Sequence, residues 1–156
     1  MNIHLIAIGT RMPAWVSDGY LEYARRLPRE CALRLVEVPP EKRGKKPDIA
    51  RIRERECARL QAAVPRGAGI LALDERGRSW TTRELADRLA VWLGDGRDLA
   101  LLVGGPDGLH PDCLHAANER WSLSPLTLPH PLVRVLVAEQ LYRAWSLLQG
   151  HPYHRD

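Results

Sequence analysis

Apolar residues along this chain fall into short solid runs separated by longer segments of helical spacing. Residues 3–8 (Ile-His-Leu-Ile-Ala-Ile) read as a buried strand, and residues 14–27 as a helix with Trp15, Tyr20, Tyr23 and Ala24 available for one face. Leu33-Arg34-Leu35-Val36-Glu37-Val38 alternates with period two, as a half-buried strand does. A helix is predicted over 48–63 and a strand over 70–73, the latter followed by Asp74 and Gly77. Thr81-Thr82-Arg83-Glu84 fits a capping box that opens a helix running to Leu93. Residues 99–103 form another continuous apolar run. The pattern then predicts a helix over 112–120, a strand-like stretch over 123–128 and a last helix that starts near Pro131 and ends near Gln149. Strands alternating with helices define an α/β domain with a mostly parallel sheet.

The last helix differs from the others. Leu132, Val133, Val135, Leu136, Val137, Ala138, Leu141, Tyr142, Trp145 and Leu148 cover most of its circumference, so it must be buried on more than one side. In a small domain one side faces the sheet and the other is free for a second subunit. A homodimer is the expectation.

Composition narrows the class. The chain has 156 residues, 45% hydrophobic and 27% charged, which suits one domain over 1–156 and excludes wholesale disorder. Its formal charge is +4, and of 23 basic residues only Lys42, Lys45 and Lys46 are lysines. Arginine grips phosphate through a planar fork, so nucleic acid is a permitted partner. Cys31, Cys57 and Cys113 are odd in number and widely spaced, which fits a reducing compartment. The first residues are too short an apolar run for a signal peptide, and no later run reaches membrane-span length. A cytoplasmic protein is expected. His110, Asp112, Cys113 and His115 are metal-ligand types, but 112, 113 and 115 fan around a helix and do not converge on one ion. No metal is expected.

Four segments carry candidate chemistry. The run Leu101-Leu102-Val103 ends in Gly104-Gly105-Pro106-Asp107-Gly108, where backbone can approach a ligand at the carboxyl end of the sheet. It is neither a Walker loop nor GxGxxG, which disfavours the common nucleotide sites. Residues 122–131 hold three prolines, which exclude a regular central strand and leave a rigid loop rich in backbone donors and acceptors, suited to adenine or simply a connector. Glu41-Lys42-Arg43-Gly44-Lys45-Lys46-Pro47 is a basic, Gly/Pro-punctuated loop of the kind that contacts phosphate backbone, or else a solvated charged face. The tail Gly150-His151-Pro152-Tyr153-His154-Arg155-Asp156 combines a stacking aromatic, two histidines and a guanidinium.

These motifs, together with Leu126-Thr127-Leu128-Pro129-His130-Pro131-Leu132-Val133-Arg134 and Glu139-Gln140-Leu141-Tyr142-Arg143-Ala144, occur in the same order in one family. The chain resembles, end to end, the small bacterial 23S rRNA pseudouridine N3-methyltransferases (RlmH type) of the SPOUT class. The resemblance implies a SPOUT-type parallel sheet with helices on both faces and a C-terminal trefoil knot. It also implies a homodimer, S-adenosylmethionine as donor, and pseudouridine 1915 in helix 69 of 23S rRNA, within the assembled ribosome, as substrate. Donor contacts carried over are Leu73, Gly104, Leu123, Ser124, Pro125, Leu126, Thr127 and Leu128. The acceptor N3 must lose a proton, so Arg143, Tyr153 and His154, from the same subunit or its partner, are the candidate catalytic residues, with His154 as proton acceptor; or else Tyr153 and His154 only orient the nucleotide and water takes the proton. The alternative is a ribosome- or RNA-binding protein without catalysis, which would need the basic loop but no donor pocket.

Overall fold

The structure is a computed structural model that describes residues 1–153. Strands β1 (Asn2–Ile8), β2 (Ala32–Val38), β3 (Gly69–Ser79), β4 (Leu99–Val103) and β5 (Glu119–Ser122) form one parallel sheet in the order β2-β1-β4-β3-β5. Helices α1 (Ala14–Ala24), α2 (Ile49–Ala63), α3 (Thr82–Asp95), α4 (Pro111–Ala116) and α5 (His130–Leu148) connect the strands or follow them. Among the described residues no helix is long and apolar enough to cross a membrane.

The pleat divides the core in two. Ile3, Leu5, Ala7, Leu99, Leu101 and Val103 point to one face and pack against Tyr20 and Ala24 of α1, Leu85 and Leu89 of α3, and Val137, Ala138 and Leu141 of α5. Ile6, Ile8, Ala100 and Leu102 point to the other, against Cys57 and Leu60 of α2 and Cys113 of α4. Both faces are covered, which is why β1 and β4 read as continuous apolar runs. The strand over 33–38, predicted half-buried from its alternation, keeps Arg34 and Glu37 exposed at the sheet edge.

Local chemistry sets several boundaries. Asp48 caps α2 by accepting from the Arg51 amide at 3.2 Å. The capping box at Thr81 and Glu84 is fully formed, and α3 ends on left-handed Gly96. The helix over 14–27 stops at Ala24, three residues early, because Pro28 disfavours helical backbone just ahead of it.

Two expectations are corrected near the C-terminus. The helix over 112–120 ends at Ala116, and the strand over 123–128 lies instead at Glu119–Ser122. Asn118 is the cause: its amide donates to the Ile70 carbonyl and its Oδ1 accepts from the Ile70 amide, each at 2.8 Å, locking this segment onto β3. Sheet pairing overrides the local helical pattern. Residues 123–129 are left as an irregular loop. β3 also runs beyond residue 73 to Ser79, through a register shift between Leu73 and Arg78.

Candidate methyl-donor cavity and cationic cluster

At the carboxyl end of the sheet, the ends of β3 and β4, the 123–129 loop and the start of α5 enclose a cavity of about 820 Å³. The glycine-rich turn that follows β4 forms one wall. Gly108, at φ +77°, donates its amide to the Gly105 carbonyl at 3.0 Å. A Cβ on Gly104 would lie 2.6 Å from the Gly108 carbonyl carbon, so only glycine lets the two strands of the turn close.

The 123–129 loop forms the opposite wall and is held by its own side chains. Ser122 Oγ donates to the Ser124 carbonyl at 3.0 Å, Ser124 Oγ accepts from the Leu126 amide at 2.9 Å, and Thr127 Oγ1 donates to Glu75 at 3.1 Å. Of the donor contacts expected from sequence, Leu73, Gly104, Leu123, Ser124, Leu126, Thr127 and Leu128 all line this cavity. Pro125 belongs to the same loop but is exposed and not part of the lining.

The wall also holds residues that sequence reasoning missed: Arg53, Asp74, Glu75, Arg76, Trp121 and His130. Apolar Leu73, Val103, Trp121 and Val133 beside the carboxylates Asp74 and Glu75 suit a flat heterocycle carrying a hydroxylated sugar, which is the make-up of an adenosyl group. The carboxylates Asp74 and Glu75 directly follow the apolar 70–73 run, within β3 where its pairing with β5 shifts register.

Beneath the cavity the first turn of α5 meets β1. Arg134 is buried, donating to the Gly9 carbonyl at 2.8 Å, the Ile8 carbonyl at 3.3 Å and Glu37 at 2.8 Å. Gly9 sits at φ +118°, and a Cβ there would meet Met12, Arg134 and His130, so the chain turns under α5 at a glycine. Burial and the neighbouring Arg134 push the His130 imidazole below its ordinary pKa, which keeps it neutral. His110, weighed as a metal ligand, instead caps α4 by accepting from the Asp112 amide at 3.1 Å, and Cys113 is buried with its thiol toward the Cys57 carbonyl.

Arg143 and Tyr153 meet elsewhere. Arg143 donates to Glu139 through Nε at 2.8 Å and Nη2 at 2.5 Å, and the Tyr153 hydroxyl donates to the same carboxylate at 3.0 Å. The guanidinium lies 4.9 Å from the Tyr153 ring centre, and Tyr142 flanks that ring at 4.7 Å. Burial and the hydrogen bond to Glu139 raise the Tyr153 phenol to about 12, so near neutrality it donates and does not act as a base. Glu139 in turn holds Arg143 above its ordinary value. His154 lies outside the described residues. The structure therefore joins two of the three candidate catalytic residues to each other but not to the cavity. At 1.5 Å rise per residue, Arg143 is about 20 Å along α5 from His130 in the cavity wall.

A cavity at the strand ends, built from a glycine turn and a serine-braced loop, defines a ligand-binding α/β protein, and comparison with known proteins specifies the class. The chain belongs to the SPOUT methyltransferase family: the family model described as "Predicted SPOUT methyltransferase" matches residues 1–154. It is 63% identical over 156 residues, the whole of both chains, to the "Ribosomal RNA large subunit methyltransferase H" of Thioalkalivibrio sulfidiphilus. It is 61% identical to the protein of the same name from Methylococcus capsulatus, over 99% of this chain and all of that one. Among solved structures, "a probable methylase family protein" from Haemophilus influenzae superposes with TM-score 0.56 at 16% identity, covering 99% of this chain and 70% of that one. At that identity the likeness concerns the fold alone.

Proposed function

We propose that this chain methylates N3 of pseudouridine 1915 in helix 69 of 23S rRNA, in the assembled ribosome in the cytoplasm, with S-adenosylmethionine as methyl donor. The observation that carries the reading is the cavity: seven of the eight residues to which the family resemblance assigns the donor line it. The name its relatives carry supports large-subunit rRNA as the substrate. The reading takes residues 1–156 as one domain and includes the C-terminal trefoil knot.

The donor, when bound, supplies an electrophilic methyl group on a sulfonium. What this chain must do is align and handle a proton. The braced 123–129 loop and the glycine turn hold a ligand in one pose, and apolar Trp121, Leu73 and Val133 exclude water from it. The acceptor N3 needs its proton removed. Arg143 uses one edge of its guanidinium on Glu139, and Nη1 has no hydrogen bond among the described residues, leaving it for the negative charge that spreads over the base as the proton leaves. With Tyr153 held protonated, we assign the proton to His154, one of the two histidines of the tail.

The 20 Å separation along α5 makes the site incomplete in one copy. A homodimer would complete it: Trp15 and Leu21 of α1 are exposed and Leu132 and Leu136 of α5 are half-buried, an apolar surface for a second copy whose Arg143 and Tyr153 would serve the first copy's cavity. Mass mapping of helix 69 from cells with and without the gene tests the assignment. A nucleoside that loses one methyl mass in the knockout is expected; an unchanged nucleoside overturns it. Single-turnover transfer by His154→Ala and His154→Gln across pH tests the proton assignment, since rates equal to the parent's at saturating ribosome would remove His154 from that role.

A further inference from the structure

The basic loop is tied to the cavity by a single exchangeable contact. Its stem is fixed: Glu41 is held by Arg55 at 3.1 Å and Arg59 at 2.5 Å, its backbone amide donates to buried Glu56 at 3.1 Å, and Asp48 at the far end caps α2. Between these anchors, residues 42–47 are exposed. Among the described residues, the one hydrogen-bonded contact of that span is the ion pair of Arg43 with Asp107. Asp107 stands in the cavity wall, on the glycine turn. Lys42, Lys45 and Lys46 flank Arg43 and have no ionic partner among the described residues. Residues 42–46 alone thus carry a charge equal to the formal +4 of the whole chain.

Two consequences follow from this arrangement. A half-exposed pair in water is weak, so a polyanion that engages the loop competes effectively for Arg43. When Arg43 leaves, Asp107 presents an uncompensated carboxylate to a cavity whose donor, on the reading above, is a cation. We propose that Arg43 is a relay between RNA and donor: RNA phosphates draw it from Asp107, and the uncovered carboxylate strengthens binding of the positively charged donor while leaving the neutral thioether product little affected. Linkage makes the effect mutual, so the loaded donor strengthens RNA binding. The relay rests on the assignment of S-adenosylmethionine and ribosomal RNA as ligands, and adds their coupling.

Equilibrium binding of two probes to the intact protein, with and without ribosomes, tests it. Sinefungin places a protonated amine where the donor has its sulfonium, and S-adenosylhomocysteine is neutral at that point. For the parent, ribosomes tighten the sinefungin Kd about fivefold, at the lower end of ordinary coupling, and move the S-adenosylhomocysteine Kd by less than about twofold. Arg43→Ala binds sinefungin without ribosomes as tightly as the parent does with them, and ribosomes add nothing further. Arg43→Lys keeps the gain. Asp107→Asn binds sinefungin weakly in both states and shows no gain. A ribosome-dependent gain that survives in Arg43→Ala or Asp107→Asn overturns the relay, as does weakened sinefungin binding by Arg43→Ala, the mark of a merely structural contact. Methyl transfer by the parent to the same ribosomes separates the two levels: transfer without coupling removes only the relay, whereas no transfer removes the functional reading beneath it.

Discussion

Helix α5 carries two arginines nine residues apart, and their surroundings are opposite. Arg134, in the second turn, is buried and donates through Nη1 to Glu37 and through Nη2 to two backbone carbonyls. Arg143 lies half-exposed among Glu139, Tyr142 and Tyr153 with one guanidinium edge open. The first arginine fastens the cavity floor to β1; the second is presented outward. The same side chain is a structural cross-link where carbonyls converge on it and, on the proposed function, a substrate group where they do not.

The contrast is sharpest in stability. Arg134→Ala leaves the buried Ile8 and Gly9 carbonyls without this donor and should cost about 2–5 kcal/mol in chemical denaturation, at about 1–3 kcal/mol for each buried acceptor left unsatisfied. A loss below about 1 kcal/mol would erase the distinction between the two residues. Arg143→Ala should do the reverse: single-turnover methyl transfer falls by at least about 10²-fold while the melting temperature stays within a few degrees of the parent's. Tyr153→Phe keeps the ring on Tyr142 but removes the hydroxyl from Glu139. The rate should then fall by up to about tenfold, the worth of one hydrogen bond, and a larger drop would mean that the hydroxyl touches substrate.

The smallest effect concerns pH at the buried end. His130 has a folded pKa below its unfolded value, so the unfolded chain takes up a proton that the native one refuses. The contribution is fully present above about pH 6.5 and is lost as pH falls through the depressed folded value. Denaturation midpoints of the parent should therefore decline on acidification more steeply than those of His130→Asn. Equal slopes would mean that this histidine protonates freely in the fold.

The two ends of α5 also differ in how far sequence revealed them. The strands at 3–8 and 99–103 were legible because both sheet faces are covered and every position but His4 is apolar. The capping box at Thr81 was legible because its chemistry is local. The prolines of residues 122–131 excluded a regular central strand, yet the strand-like stretch expected over 123–128 proved to be a loop; the glycine turn was marked by its place after the 101–103 run. The Asn118–Ile70 pairing was not legible, since nothing near Asn118 shows that it will zip onto a strand about fifty residues upstream. Nor was the role of Asp107: its partner Arg43 lies 64 residues away, and charges pair across space without a sequence period. The need to remove a proton singled out Arg143 and Tyr153 but not their distance from the cavity wall, which is set by the length of α5.

The central claim is that one copy's cavity works with another copy's Arg143 and tail. It is tested most directly by mixing two inactive variants. Gly104→Ala, whose new methyl group collides with the Gly108 backbone, disables the cavity, and Arg143→Ala disables the cluster. Each alone should transfer methyl groups to ribosomes at no more than about a hundredth of the parent rate. After unfolding and refolding an equimolar mixture, half of the dimers are mixed and each has one of its two sites intact, so about a quarter of the parent activity should return. If cavity and Arg143 act within one chain, every site in the mixture carries a lesion, and the mixture stays as inactive as its components.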